Sequence, residues 1–168
     1  MPSDTVLVGG GGPAGLEAAR GAADLGAKVV LVEARDFLGG TPIAENYAAL
    51  THGMRDAEEV LNAMIADVKA HASIDLRLGY RVAAATGKAG DFAVTLVKDG
   101  NGHSDTVNVG AVILATGFQH FDPGRETQMY GYYEFDDVIT LQDSEALLKQ
   151  KKFVRPSNGE TPTRVCFI

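Results

Sequence analysis

The sequence predicts an α/β fold: a parallel sheet with a crossover helix, joined to an antiparallel hairpin. Two apolar runs, residues 5–8 and 28–32, bracket a glycine-rich loop and a helix-like stretch. A third apolar run, 111–115, ends in Thr116-Gly117. Ahead of it, Phe92, Val94 and Leu96, then Thr106, Val107 and Val109, flank the turn Asp99-Gly100-Asn101-Gly102. That alternation around a glycine-rich turn signals an antiparallel hairpin.

Each element has a local reason. Residues 5–8 form a short strand ending in four glycines, Gly9 to Gly12. Residues 13–25 read as a helix with small and apolar Ala14, Ala18, Ala22 and Leu25 on one face. Pro13 suits the first helical position, where its missing N–H costs nothing. Gly26 stops the helix. Residues 28–32 are continuously apolar, as in a strand buried on both faces. Residues 34–53 make a long connection containing Gly39-Gly40. From Asp56 to about His71, Val60, Met64 and Val68 recur at helical spacing, with Glu58 and Glu59 in the first turn, where the dipole favours negative charge. Residues 74–78 and 80–84 read as short strands, and 111–115 as another buried one. Residues 118–138 are a loop rich in aromatics, and Asp143 or Ser144 is a candidate cap for a short helix ending at Gln150. The expected organisation is a domain over 1–150, a linker over 151–163, and a new apolar run opening over 164–168.

Composition narrows the function. The 168 residues carry a net charge of −7, which argues against nucleic acid or an anionic membrane as partner. One cysteine excludes an internal disulfide, and also a zinc or iron–sulfur centre held by this chain alone. No run approaches the roughly 20 apolar residues of a membrane span. The N-terminus shows no secretory pattern, so a cytoplasmic protein is expected.

The chemistry lies in Gly10-x-Gly12-x-x-Gly15, placed after a strand and at the start of a helix. Gly10 permits the tight turn, Gly12 leaves room for a pyrophosphate, and Gly15 lets helix and strand pack closely. With Pro13 and Ala14, the helix start offers free N–H groups and a positive dipole end to phosphates. Glu33 ends the second strand, where it accepts from ribose hydroxyls and repels a 2′-phosphate, favouring FAD or NAD over NADP. This is a Rossmann-like dinucleotide site.

Gly39-Gly40 after Glu33, and the strand 112–115 running into Thr116-Gly117, give the chain a resemblance to the two-dinucleotide-binding-domain flavoproteins, the glutathione- and thioredoxin-reductase-like group. The resemblance implies that the first βαβ unit, with Ala34 beside Glu33, binds the ADP half of FAD. It implies that Gly39, Gly40 and Thr41 lie along the pyrophosphate and ribityl chain, Val82 by the adenine, and Ala115, Thr116 and Gly117 over the cofactor. Arg35 either touches the adenosine ribose or is a solvated surface arginine.

Residues 117–123 (GFQHFDP), Tyr130-Gly131-Tyr132 and 137–140 (DVIT) resemble the A-type subunit of heterodisulfide reductases and their relatives, and residues 39–46 (GGTPIAEN) are nearest the sulfur-oxidation type. The resemblance implies an FAD-binding electron-transfer subunit in sulfur metabolism, working with other heterodisulfide reductase-like subunits and as a homodimer. It implies a [4Fe-4S] cluster in the complete protein or complex. Many family members carry cysteines soon after the glycine pair; residues 41–54 have none. Gly9 stands where these strands usually keep an apolar residue. Two other readings stay open: a pyridine-nucleotide-dependent flavin reductase lacking its nicotinamide domain here, and a non-catalytic nucleotide-binding assembly module. The resemblance also implies that the hairpin belongs to a β-meander at about 80–110, that residues 164–168 are the first strand of a truncated following domain, and that the chain is the N-terminal piece of a longer one.

Among the remaining residues, His52, His71, His103 and His120 lack metal-ligand spacing. His71 suits a helix end, and His120, beside the strand end, is the best candidate for an acid–base role. No catalytic residue is assigned. Cys166 is expected to be a buried, inert thiol. Tyr130, Tyr132, Tyr133 and Phe135 suit loop packing, an interface or the flavin's surroundings, and Asp122, Asp136 and Asp137 solvated or capping roles.

Overall fold

The computed structural model describes residues 3–50, 52–100, 102–125 and 130–168. Four parallel strands form the central sheet: β1 (Thr5–Gly9), β2 (Lys28–Glu33), β5 (Ile74–Leu78) and β9 (Ala111–Leu114), in the order β5-β2-β1-β9. Helices α1 (Pro13–Asp24) and α3 (Ala57–Ala70) cover one face. The antiparallel meander of β6 (Tyr80–Lys88), β7 (Asp91–Lys98) and β8 (Ser104–Val109) covers the other. The long connection after β2 holds the short helix α2 (Gly40–Ala44) and a two-residue ladder of β3 (Ala49–Leu50) with β4 (Arg55–Asp56). Helix α4 (Leu141–Lys149) follows the aromatic loop.

Strand alternation makes two cores from one sheet. Val8, Val29 and Leu31 pack with Leu16, Ala19, Ala23, Leu61 and Val68 of the helices. Their neighbours Leu7, Val30 and Val32 pack with Val94, Leu96 and Val109 of the meander. A sheet sandwiched this way is apolar at nearly every position, which is why β2 reads as an unbroken apolar run.

Several expectations change. The buried face of α1 is Gly15, Leu16, Ala19 and Ala23; of the expected face, Ala18 and Ala22 are half-buried and pack at its flank, while Ala14 is exposed and Leu25 is 90% exposed. The reason is that Gly15 must face the sheet, and it fixes the rotation of the helix. In α3 the face is Ala57, Leu61 and Val68, with Val60 and Met64 at its flank. Strand β9 is not buried, because it is the sheet's edge in this chain, and Leu114 is 74% exposed. Strand β6 runs on to Lys88 past a bulge between Val82 and Ala84. Thr140, not Asp143 or Ser144, caps α4: its side chain accepts from the Asp143 N–H while Asp143 accepts from the Thr140 N–H, a capping box. Residues 164–168 form no strand, and Cys166 is exposed rather than buried. In the hairpin turn, Asn101 lies outside the described residues. Among the described residues no helix is long and apolar enough to cross a membrane.

Beyond Val109, Pro123 is the only buried residue among those described. Past β9, which pairs with β1 and sets Val112 on the meander core, this part is held mainly by polar and ring contacts. Asp122 caps the turn at Gly124, accepting its N–H at 2.9 Å. Asp137 clasps the segment that follows α4: it accepts from Arg155 Nε at 2.8 Å and Nη2 at 2.6 Å, and from the Ser157 N–H at 3.0 Å and Oγ at 2.9 Å. The Ser157 hydrogen bonds, then Arg155, hold the Asp137 carboxyl below its usual range.

Two outcomes follow from this packing. Leu61→Ala, at a fully buried position, is expected to cost about 2–5 kcal/mol in chemical denaturation. Because the carboxyl titrates lower in the folded protein, the Asp137 clasp contributes fully at neutral pH. It is lost as pH falls through that depressed value, below the ordinary carboxylate at about 3.9. The Ser157 amide resonance should therefore hold its position until the pH drops below that point. Movement at higher pH would show that the clasp is not formed.

Candidate functional site

The site starts where β1 ends. Gly10 has φ +114° and donates its N–H to Val32 O at 2.7 Å. A Cβ on Gly10 would collide with the Ala115 carbonyl, and a Cβ on Gly15 with the Gly10 carbonyl. Ala115 donates its N–H to Gly9 O at 2.8 Å. The end of β1, the first turn of α1 and the end of β9 are therefore stacked backbone on backbone. Gly39 donates its N–H to Gly11 O at 2.8 Å, and a Cβ on Gly40 would lie 2.7 Å from Gly12 Cα. A Cβ on Gly12 itself would meet only Gly40 Cα, at an ordinary 3.7 Å. Gly12 is thus kept clear for something outside the chain, while Gly10 and Gly15 are filled by it.

The helix start completes the cradle. Gly12 is the N-cap without a side-chain cap, Pro13 takes the first turn, and no acidic residue lies there. Leu16 donates to Gly12 O at 2.9 Å. The N–H groups of Ala14 and Gly15 precede that first helical bond and have no carbonyl one turn earlier. Glu33 is 9% exposed. Its Oε2 accepts the Gly11 N–H at 2.6 Å and its Oε1 the Arg35 N–H at 2.8 Å. A carboxylate has about four lone-pair positions, so acceptor capacity is left for a ribose hydroxyl. This donor-rich, Cβ-free turn beside a fixed carboxylate fits a dinucleotide.

The other expected residues are placed as follows. Ala34 and Thr41 are half-buried next to Glu33 and Gly40. Arg35 is exposed, with its guanidinium 5.5 Å over the Phe37 ring. Val82 is half-buried, its Cγ2 4.0 Å from where a Gly9 Cβ would stand. Thr116 and Gly117 are exposed, and Gly117 has φ +75°.

Some residues carry no motif of their own. Gly11, unlike Gly12, is crowded by side chains, since a Cβ there would lie 2.5 Å from Leu38 Cδ2 and 3.0 Å from Glu33 Oε2; the unbroken glycine run is its signal. Glu45 and Tyr47 meet His120: Tyr47 Oη lies 2.8 Å, and Glu45 Oε2 3.0 Å, from His120 Nε2. The Phe118 ring stands edge-on to the imidazole at 4.9 Å. Gln142 of α4 donates to Glu45. Burial first, then Glu45 and Glu145, raises the Tyr47 hydroxyl above its usual range. Burial, then Asp143, does the same for Tyr132, which donates to Asp143 Oδ2 at 3.2 Å.

His71 caps α3, accepts the Ser73 N–H at Nδ1 and points Nε2 toward Asp24 at 3.6 Å. The described residues bring together no group of three or more His, Cys, Asp or Glu arranged to hold a metal. A separate cleft of about 1040 Å³ lies among the loops after β9, lined by His120, Phe121, Tyr132 and Val165 among others; no cradle residue lines it.

The pyridine nucleotide-disulphide oxidoreductase family matches residues 3–158. The chain belongs to this family. Its fold is that of FAD-binding Rossmann-like oxidoreductases. Over 65 residues it is 43% identical to an iron-sulfur subunit of CoB–CoM heterodisulfide reductase from Methanopyrus kandleri, covering 36% of this chain. Over 67 residues it is 37% identical to a subunit of the H2:CoB-CoM heterodisulfide, ferredoxin reductase of Methanothermobacter thermautotrophicus, covering 37% of this chain. Both relatives are the A-type component of their enzymes, and each match spans 10% of the relative's length. Among solved structures, L-proline dehydrogenase from P. horikoshii superposes with a TM-score of 0.59 at 25% identity, covering 67% of this chain and 22% of that one. The flavin-dependent monooxygenase PieE, in complex with FAD and substrate, shares the fold at a TM-score of 0.55 and 16% identity, over 68% of this chain and 30% of that one.

The glycines separate folding from binding. Gly15→Val forces apart two backbone segments and is expected to abolish cooperative unfolding in circular dichroism. Gly12→Ala meets no atom closer than 3.7 Å. It should keep the wild-type melting curve while losing FAD affinity by tenfold or more, a change of about 1.4 kcal/mol or above. Equal losses of stability in the two variants would refute this division.

Proposed function

We propose that this chain is the FAD-binding part of an oxidoreductase like the A-type subunit of heterodisulfide reductases, passing electrons between a donor and partner subunits in sulfur metabolism. The cradle carries the reading: Gly12 open between Gly40 and the start of α1, with Glu33 fixed at its side. Identity to the two heterodisulfide reductase relatives, over 65 and 67 residues, supports the choice among flavoproteins.

The residues divide the work. Ala14 and Gly15 present N–H groups to the pyrophosphate, and Glu33 orients the ribose. Gly39, Gly40 and Thr41 line the path beyond the phosphates, Val82 the adenine side, and Ala115, Thr116 and Gly117 the opposite wall. When bound, FAD supplies the electron-accepting and electron-donating ring. The chain orients it and keeps carboxylates other than Glu33 away from the phosphates. On this reading residues 1–150 are the FAD domain, 151–163 a linker and 164–168 the lead into the next region. A [4Fe-4S] cluster of the complete protein or complex takes its ligands elsewhere, since Cys166 is the one cysteine here. The partners are other reductase subunits and a second copy of the protein, in the cytoplasm.

The family's pyridine-nucleotide character supports a second reading, a flavin reductase fed directly by NADH or NADPH. One experiment addresses both. Purified protein should be yellow, or should quench added FAD fluorescence with a saturable curve. Colourless protein without quenching sinks the flavin reading. If NADH or NADPH alone bleaches the bound flavin, the second reading replaces the first.

A further inference from the structure

Helix α4 has no buried residue. Three of its polar side chains nevertheless contact one continuous stretch of chain. Gln142 donates to Glu45. Glu145 Oε2 accepts the Ala48 N–H at 2.9 Å. Lys149 Nζ lies 2.8 Å from Glu58 Oε2. Positions 142, 145 and 149 are three and four apart, so they share one helix face. Their partners ascend in the same order, 45, 48 and 58. A helix docked in register along its length, with no apolar residue buried, is held by that stripe.

The stretch it holds begins just after Gly40 and Thr41. Glu45 also takes His120 Nε2 at 3.0 Å, tying the same point to the segment leaving β9. The N-terminal end of α4 is anchored independently, by the Thr140–Asp143 capping box and by Tyr132 on Asp143. Beyond its C-terminal end Lys151 has φ +56°. The helix is thus fixed at one end and held along its flank only by polar contacts.

We propose that α4 is a polar latch: Gln142, Glu145 and Lys149 are positioning residues that hold Glu45, Ala48 and Glu58, downstream of the cradle's glycine pair, and set how fast FAD leaves it. The second half of this statement rests on the reading of residues 39–41 as cofactor-lining; the first does not. Solvated ion pairs of this kind weaken as salt is added, whereas the apolar cores do not. Opening of the latch therefore needs no unfolding of the sheet.

The test has two arms. In the first, amide hydrogen exchange of the whole chain is compared with Glu145→Ala. The Ala48 amide should exchange about tenfold faster or more, the scale of losing one hydrogen bond to a charged group. Exchange in β1 and β2 should be unchanged. In the second, FAD release is followed by recovery of its fluorescence on dilution. Release should quicken with ionic strength and in Lys149→Glu, and return toward wild type when Lys149→Glu is combined with Glu58→Lys. A merely structural role for Lys149 would not be rescued by the reversed pair. Unchanged exchange at Ala48 overturns the latch. FAD release that is indifferent to salt and to Lys149→Glu overturns its control of the cofactor. If the wild-type chain does not bind FAD at all, the flavin reading fails by its own test. Control of release then falls with it, and the latch on segment 45–58 is decided by the exchange arm alone.

Discussion

The contact on which the site depends is the stack of Gly15 on the Gly10 carbonyl, with Ala115 closing over Gly10. Two consecutive elements, the end of β1 and the first turn of α1, meet there with the end of β9 from far along the chain, backbone on backbone. Gly15 sets the rotation of α1, so that Leu16, Ala19 and Ala23 enter the core and Ala14 faces out. The same rotation leaves the N–H groups of Ala14 and Gly15 at an open helix end. Anion binding and core packing are therefore two consequences of one approach distance, and a side chain at Gly15 would lose both.

Glu33 shows the same economy. A nearly buried carboxylate is costly unless it is hydrogen-bonded. Here it accepts from Gly11 and Arg35 N–H groups, which would otherwise be donors with no strand partner. Those bonds hold the glycine turn in shape through Gly11 and place the carboxylate at the cradle's edge. Because the turn is already organised, a ligand there has less ordering to cause, and more of its contact energy appears as affinity.

What is legible in the sequence follows from period and steric need. The strand–loop–helix–strand unit, the meander and the glycine positions are local signals: a continuous apolar run, an alternating run, a residue type that alone fits. The departures share one cause, which is that they depend on a neighbour. The face of α1 is set by a strand. The exposure of β9 is set by its place at the sheet edge, which no local pattern reveals; Ile113 and Leu114 look like core residues and are exposed. The Thr140 cap is the exception, a local signal of a Thr with an acidic residue three positions on. The Glu45–Tyr47–His120 group has no signature, because its members come from two loops joined only by the return of the chain through β9.

Burial along the chain explains how a firm grip and an open access route coexist. Up to Val109 the elements share two apolar cores, and the cradle is built from their ends. Past β9, which still pairs with β1 and sets Val112 on the meander core, the described residues other than Pro123 hold their places mainly through carboxylates, amides and hydroxyls, with a few ring contacts. Such contacts are individually weak and break one at a time. Local opening therefore concentrates in the later half, where few apolar contacts must be lost. Glu45 and Ala48 stand on the boundary: they follow the glycine pair of the cradle, and their partners lie in the polar half. Motion in the second half can reach the glycine pair through them without disturbing the Gly10–Gly15 stack.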